Sequence, residues 1–335
     1  MPITTNPKYP LTSEYYRPSY PESKDAPLLV FIPGNPGLID YYVTFLDIIA
    51  EQYPKYAILA ISHAGYQTSG DFLTAGNTGD QTYYDLDYQV THKVKILKDQ
   101  ILSGHSNISI LCHSVGGYIT QRLVRALLKD QEVKDLVQFE FIGLICPTIV
   151  DIAKSLSGQF FGRLFSILPL VQTCVYLVMI LQFILPDALA KYIIRNFVIA
   201  RPKLTDDKLM ESWSNSLDAT HKIYRSKRII FQALTLAKDE LKYIHRDDDY
   251  NDWFFHQLPE QYGTKVWSFF AHLDYWVHDN TRDYILSRYH DLENELVHFE
   301  VGDMDNGDVR AITHSFCIDQ SVEFAEITCE ALARK

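Results

Sequence analysis

The stretch SILCHSVGGYITQ, residues 109–121, places a serine where a run of β-forming residues gives way to a helical pattern. A serine hydroxyl is a poor nucleophile at neutral pH and needs a base that takes its proton. A sharp turn from strand to helix exposes the hydroxyl, and its neighbours must be small because the two backbones pass close together. Gly116 is one such neighbour, and Cys112 stands where the pattern G-x-S-x-G has its first glycine. We predict that Ser114 is a nucleophile; the alternative is a serine that only caps the helix.

A nucleophilic serine also needs hydrogen-bond donors for the oxyanion that forms during acyl transfer. In a strand–turn–helix site, one donor is the N–H of the residue after the serine, and a second comes from the loop after an earlier strand. The first is Val115, and the second falls in the loop FIPGNPG, residues 31–37. Asn35 has an N–H to donate, whereas Pro36 has none. We predict an oxyanion hole of Val115 and Asn35; the alternative is that PGNPG is only a turn.

The acid of a serine triad on this type of turn follows the serine in the chain and precedes the histidine. The segment AHLDYWVHDN, residues 271–280, comes directly after the predicted strand KVWSFFA. Asp274 lies at the carboxyl end of that strand and is the predicted acid. Asp279 is the rival, but it is better placed to cap the following helix.

The base is predicted at His314, where a loop after the strand ELVHFEV ends and the last helix begins. His298 lies inside that strand and is expected on a face of the sheet, and His272 precedes the acid. In a triad, Asp274 orients the imidazole and stabilises its cation while His314 takes the serine proton. The alternative for His314 is a polar residue at a helix start.

Composition limits the other possibilities. The chain has 335 residues and a formal net charge of −11, which argues against a nucleic-acid-binding surface. No phosphate loop, zinc spacing or dinucleotide fingerprint is present, so no cofactor or metal is predicted. We read no secretory signal in the first residues, whose prolines and tyrosines suggest an irregular lead-in. Five scattered cysteines indicate free thiols in a reducing compartment: Cys112, Cys146, Cys174, Cys317 and Cys329.

Short apolar runs alternate with helical patterns along the chain. This alternation predicts a parallel sheet that is buried on both faces, with its ligand site at the carboxyl ends of the strands. Strands are predicted at 27–34, 56–62, 107–113, 139–146, 265–271 and 295–301. Helices are predicted at 41–51, 82–102, 116–128, 279–289 and 314–332.

More than a hundred residues after Cys146 contain no clear strand. We predict one domain over 1–335 that carries a helical cap insertion at 147–230, with an uncharged apolar segment at 164–186. Pro169 interrupts this segment and leaves a clean helix too short to span a bilayer. Three interpretations stay open: a buried cap helix, a helix or hairpin that dips into one leaflet or a lipid monolayer, and a bilayer span.

Four stretches together, LLVFIPGNPGLIDYYVTFL, LCHSVGGYITQ, HLDYWV and THSFC, resemble the lipid droplet-associated hydrolase family, a branch of the α/β-hydrolases. The resemblance extends from about residue 27 to the end, and PGNPG…YY is its most specific element. It implies an α/β-hydrolase fold, a mostly parallel doubly wound sheet with a helical, apolar cap insertion. It places the nucleophile on Ser114, the acid on Asp274 and the base on His314. The family usually has glycine where Cys112 stands.

The resemblance also implies a place of action. We expect a serine ester hydrolase with a lipase-like, acyl-enzyme mechanism, acting on a neutral lipid ester. It implies the cytosolic face of a lipid droplet, or the endoplasmic reticulum, with the apolar cap segment as anchor. An acyltransferase or thioesterase with the same triad, or a catalytically weak droplet-surface protein, is the alternative.

Overall fold

An eight-stranded sheet forms the centre of the molecule. The computed structural model describes residues 3–68, 82–199, 201–202, 206–291, 293–304 and 311–334. The strands of the sheet are β1 (Thr4–Thr5), β2 (Ser13–Arg17), β3 (Leu28–Ile32), β4 (Ala57–Ile61), β5 (Asn107–His113), β6 (Gln138–Ile145), β7 (Lys265–Phe270) and β8 (Val297–Val301). Their order across the sheet is β1-β2-β4-β3-β5-β6-β7-β8. The six strands β4, β3, β5, β6, β7 and β8 run parallel to one another. Strand β2 pairs antiparallel with β4, and β1 pairs antiparallel with β2.

The inner strands are apolar because both of their faces are covered. Every residue of β3 and of β4 is buried, which is the pattern of a parallel sheet between two helical layers. The mostly parallel, doubly wound sheet expected from the sequence is confirmed.

Helices fill the connections between the strands. Those of the core are α1 (Val43–Gln52), α2 (Leu86–Leu102), α3 (Val115–Lys129), α11 (Asp279–Tyr289), α12 (Phe316–Asp319) and α13 (Ser321–Ala333). Between β6 and β7 lie α4 (Leu156–Ile167), α5 (Leu170–Ile184), α6 (Asp187–Ile193), α7 (Asp207–Arg225), α8 (Lys227–Tyr243), α9 (Asp248–Asp252) and α10 (Leu258–Tyr262). Short 3₁₀ turns at Ile39–Tyr42 and Ile152–Lys154 and π turns at Ile194–Val198 and Trp253–Gln257 complete the described elements.

The N-terminal lead-in is not irregular, contrary to the sequence prediction. Strand β2 pairs antiparallel with β4 and lengthens the sheet at that edge. Its side chains alternate, with Tyr15 fully buried and Tyr16 46% exposed. The Tyr15 hydroxyl donates to Asp47 Oδ1 at 2.7 Å, and Arg17 Nη1 lies 3.0 Å from the same oxygen. These contacts join the edge strand to helix α1.

The last predicted helix begins later than expected and is divided in two. Gln320 separates α12 from α13, and its side chain serves the segment around the predicted base. Its Oε1 accepts from the Thr313 N–H at 3.0 Å, and its Nε2 donates to the Ala311 carbonyl at 2.9 Å. The break therefore has a use, because it fixes the backbone that leads into His314.

The apolar segment forms two helices rather than one. Helices α4 and α5 meet at an angle of 87° beside Pro169. No single helix of the described ranges is long and apolar enough to span a membrane, whereas this bent pair passes that test by length and composition. Only Val171 of helix α5 is buried, so the interpretation of a buried cap helix is wrong.

We predict that the two tyrosines of β2 differ in what their hydroxyls contribute. Tyr15→Phe removes a buried donor to a carboxylate, and the free energy of unfolding should fall by about 1.5–3 kcal/mol. Tyr16→Phe, one residue along on the exposed face, is the matched control and should stay within about 0.5 kcal/mol of the wild type. Urea unfolding at an unchanged m-value measures both, and equal effects would contradict the role given to Tyr15.

Candidate active site

Ser114 sits on a sharp turn between β5 and α3. Its backbone has φ 53° and ψ −121°, a conformation that is rare and strained for a residue with a side chain. Gly116 makes the turn possible, because a Cβ there would lie 2.6 Å from the carbonyl oxygen of Ile32 and 2.9 Å from that of Pro33. Strand β5 ends directly before Ser114 and helix α3 begins directly after it, and the serine is only 8% exposed.

Cys112 occupies the earlier small position of the turn and is fully buried. Its Sγ lies 3.5 Å from the carbonyl oxygen of Gly143 on the neighbouring strand, and Thr120 of helix α3 is a second polar neighbour. Burial raises the pKa of the Cys112 thiol to about 12, so the group stays neutral. The site thus accepts a side chain slightly larger than that of alanine.

The three residues predicted as a triad lie together. Ser114 Oγ is 3.0 Å from His314 Nε2, and His314 Nδ1 is 2.8 Å from Asp274 Oδ2. A carboxylate can only accept, so Nδ1 carries the proton and Nε2 is free to accept from the serine hydroxyl. This is the tautomer that a general base requires.

Asp274 is itself fixed by the backbone that follows it. Its Oδ1 accepts from the N–H groups of Trp276 at 2.7 Å and of Val277 at 3.0 Å. Burial alone would raise its pKa, but the charge of His314 and these hydrogen bonds outweigh burial and leave the pKa lowered. The acid is therefore ionised when it faces the imidazole.

The residues that were weighed against Asp274 and His314 make other contacts. Asp279 is the first residue of α11 and pairs with Arg282 at 3.2 Å. His298 is on β8 and contacts Arg334 Nη1 at 2.9 Å, and the His272 carbonyl accepts from Arg282. Of the loop that precedes His314, residues 305–310 lie outside the described residues.

The two predicted oxyanion donors flank the serine. Val115 is the first residue of α3, so its N–H has no partner within the helix. Asn35 lies in the loop after β3, and among the described residues no acceptor takes a hydrogen bond from its backbone N–H or from that of Val115. The side chain of Asn35 is engaged separately, with Nδ2 donating to the Ala233 carbonyl and to Glu240 Oε1, each at 2.9 Å.

A cavity of about 270 Å³ lies over Ser114 and is mostly apolar. The core contributes the triad serine and histidine, and the helices between β6 and β7 contribute its other wall. From the latter come Phe161, Leu234, Ala237 and Glu240. Trp276, next to the acid, stacks on Phe161 with ring centroids 5.6 Å apart. The arrangement can hold an apolar acyl chain against the serine.

Sequence comparison assigns the chain to a family. The family model described as lipid-droplet associated hydrolase matches residues 25–317. The chain belongs to the lipid-droplet associated hydrolase family. The Gallus gallus protein named lipid droplet-associated hydrolase is 26% identical and covers 93% of this chain and 86% of its own length. Its Mus musculus counterpart is 24% identical, with 92% and 85% covered.

Solved structures agree on the fold of this lipid-droplet associated hydrolase family member. A peroxisomal alpha-beta-hydrolase of Saccharomyces cerevisiae superposes with a TM-score of 0.59 at 12% identity, over 96% of this chain and 81% of that one. A carboxylesterase structure of Nitrososphaera gargenis gives 0.57 at 15% identity, over 99% and 98%. The fold is that of the α/β-hydrolases.

His113 and Tyr42 complete the site in this family member, and neither was identified from the sequence. His113 Nε2 donates to the His314 carbonyl at 2.8 Å, which leaves Nδ1 to accept from the Tyr42 hydroxyl at 2.8 Å. Burial first, and then the charge of His314, lower the pKa of His113 to about 3, so it stays neutral. The Tyr42 oxygen accepts from the Gly34 N–H at 3.3 Å. A histidine directly before the serine was the available signal.

One group of metal-ligand types is close enough to hold an ion within the described ranges, and it coincides with the triad. Cys146 joins Asp274 and His314 there, with the ligand atoms within 4.8 Å of one another. Burial raises the pKa of the Cys146 thiol well above its usual range, so its sulfur is a poor ligand. The imidazole and carboxylate are occupied by their hydrogen bond to each other. The residues fit a triad better than a metal site.

We predict that position 112 tolerates only small side chains. Cys112→Leu overpacks the space between β6 and α3 and should cost about 1–3 kcal/mol of unfolding free energy, with a loss of hydrolase activity. Cys112→Ala and Cys112→Gly, the small controls, should keep the activity. Denaturant unfolding and ester hydrolysis measure both effects. A fully active and stable leucine variant would mean that the turn is not sterically confined.

Proposed function

We propose that this protein is a serine ester hydrolase that acts on a neutral lipid ester through Ser114, His314 and Asp274. The observation that carries the proposal is the unbroken relay from Ser114 Oγ to His314 Nε2 and from His314 Nδ1 to Asp274 Oδ2, at 3.0 and 2.8 Å, on the floor of an apolar cavity. Membership of a hydrolase family and the α/β-hydrolase fold support it.

The reaction has two halves. Ser114 Oγ attacks the ester carbonyl carbon while His314 Nε2 takes the hydroxyl proton, and the oxyanion is bound by the N–H groups of Val115 and Asn35. The intermediate collapses to an acyl-enzyme, and the alcohol leaves with the proton from His314. A water molecule, activated by His314, then attacks the acyl carbon and releases the carboxylic acid and the serine hydroxyl.

The exposed apolar helix α5 supports a lipid surface as the place of action. Helix Leu170–Ile184 has no charged residue, and its outer face includes Phe183, which is 93% exposed, and Leu177, which is 54% exposed. A contiguous apolar patch of this kind marks an interaction site rather than ordinary surface. The relatives named lipid droplet-associated hydrolase point to a droplet as the partner surface.

We therefore place the protein on the cytosolic face of lipid droplets or the endoplasmic reticulum, with residues 164–186 of a cap at 147–230 as the anchor. A droplet has one aqueous side, so a bent pair of helices can bury its outer face there without spanning. The helices that line the cavity continue past residue 230 to α8, so the cap we propose acts together with that helix.

Active-site labelling tests the nucleophile. A fluorophosphonate should label the wild-type protein, and Ser114→Ala should lose the label and reduce ester hydrolysis by on the order of 10⁴-fold or more. Ser315→Ala is the matched control, because Ser315 lines the same cavity. It should keep the label. Retained labelling in Ser114→Ala would overturn the assignment, and an unlabelled wild type would favour a surface protein without this chemistry.

Droplet binding tests the anchor. Leu177→Asp with Leu181→Asp places two charges on the exposed face, and the protein should move from droplets to the soluble fraction, because a charge is expensive to bury in lipid. Leu177 and Leu181 are 54% and 44% exposed in the fold, so the variant should still unfold cooperatively with only a small decrease in the thermal unfolding midpoint.

Leu102→Asp with Leu136→Asp is the control for the anchor variant. These leucines are 54% and 51% exposed and precede β5 and β6, so they lie near the amino ends of these strands, whereas Ser114 and the cavity lie at the carboxyl ends. The control should still coat droplets. If the Leu177 and Leu181 variant folds and also still coats them, helix α5 is not the anchor.

A further inference from the structure

A buried acid in the cavity wall has no part in the triad. Glu240 lies on helix α8, is 4% exposed and faces the cavity over Ser114. Its Oε1 accepts from Asn35 Nδ2 at 2.9 Å, and no described lysine, arginine or histidine forms an ion pair with it. A buried carboxyl without a counter-ion is an expensive feature, so its position next to the predicted oxyanion loop calls for a role.

The Asn35 side chain is held at two points on one helix. Nδ2 donates to the Ala233 carbonyl and to Glu240 Oε1, and these two residues are two turns apart on the same face of α8. The Ala233 carbonyl can only accept, which fixes the amide orientation. Asn35 Oδ1 is buried with no partner among the described atoms. The orientation of this side chain therefore depends on these two bonds.

We propose that Glu240 is a positioning residue that, as a neutral carboxylic acid, holds Asn35 so that its backbone N–H points at the oxyanion, and that its ionisation impairs the site. The inference rests on the proposed function, because it takes the Asn35 N–H as an oxyanion donor. Ionisation harms catalysis for an electrostatic reason: it would place a second negative charge beside the one that develops in the transition state.

The surroundings favour the neutral acid at physiological pH. Burial raises the pKa of Glu240 to about 8; the hydrogen bond from Asn35 opposes this shift, and the charge of Asp239 on the same helix adds to it. Tyr66, in the segment after β4, is a second buried acidic group near Glu240, and burial and the charge of Glu240 raise the pKa of the Tyr66 hydroxyl. Asp239 is occupied by the Tyr83 hydroxyl at 2.7 Å. The groups that act on Glu240 are thus acids or neutral donors.

Two substitutions separate the hydrogen bond from the charge. Glu240→Gln keeps an oxygen for Asn35 and cannot ionise, whereas Glu240→Met keeps the approximate volume and removes the acceptor. We measure kcat and KM for 4-nitrophenyl butyrate from pH 6 to pH 10, corrected for spontaneous hydrolysis.

The wild-type kcat should fall at least about tenfold above pH 8, whereas the kcat of Glu240→Gln at pH 9.5 should stay close to the value that this variant has at pH 7. Glu240→Met should lower kcat about tenfold at pH 7 with KM within about twofold, because the oxyanion donor is used in the transition state and not in substrate binding.

Other results overturn the proposal. An alkaline fall in Glu240→Gln that equals that of the wild type would assign the titration to another group. A Glu240→Met variant that folds and has the wild-type kcat would mean that Glu240 does not position Asn35. Should Glu240→Met fail to fold, the pH profile of Glu240→Gln still decides.

Thermal unfolding keeps this proposal distinct from the proposed function. A raised pKa means that the unfolded chain releases the proton first, so the wild type should lose stability relative to Glu240→Gln as the pH rises from about 4.5 to about 8, and no further above that. A constant difference would refute the buried neutral acid even in a protein without esterase activity. Conversely, an unlabelled, inactive wild type with this stability profile would refute the proposed function and, with it, the role of Glu240 in the oxyanion hole.

Discussion

The close contact between Gly116 and the end of strand β3 is the constraint on which the site depends. A glycine here allows the first turn of α3 to rest on the carbonyls of Ile32 and Pro33, at distances where no Cβ would fit. The contact lies next to Ser114, whose backbone has a positive φ, and it brings the loop after β3 beside the serine. One packing contact thus positions both Ser114, the proposed nucleophile, and the loop that carries Asn35, the proposed oxyanion donor.

His314, the proposed base, is fixed by two independent sets of hydrogen bonds. Its ring is oriented by Asp274, and its backbone carbonyl is held by the Nε2–H of His113, the residue directly before the nucleophile. Tyr42 then links His113 to the N–H of Gly34. This series of hydrogen bonds joins the loops after β3, β5 and β8 and holds them in one mutual arrangement. Because His113 is neutral, the series adds no charge near His314 and Asp274.

Sequence patterns predicted the inner strands of the sheet, whose burial shows directly in the sequence as apolar runs. The strands β3, β4 and β5 were predicted correctly from their apolar runs because both faces of those strands are buried. Chain order selected Asp274 and His314, and the fold brings these two residues within hydrogen-bond distance of each other. Strand β2 was missed because SEYYR alternates weakly and depends on pairing with β4. The exposure of helix α5 was not predictable, since an uncharged segment reads alike in a core and on a lipid-facing surface.

Glu240 is a residue whose place in the site could not be predicted from the sequence. Its helix, α8, contacts both the proposed lipid-binding helix α5 and the proposed oxyanion loop. An acid in an amphipathic helix is normally expected on the solvated face, and its partner Asn35 is 205 residues away. Only its spacing with buried Leu236 on helix α8 hinted at an inward face. The same helix packs against α5, whose outer face is apolar and exposed. Helix α8 therefore contacts both the proposed lipid-binding helix and the Asn35 side chain of the proposed oxyanion loop. If α5 enters lipid as proposed, the lipid surface can act on the geometry around Ser114 through α8, which packs on α5, and through α4, whose Phe161 lines the same cavity.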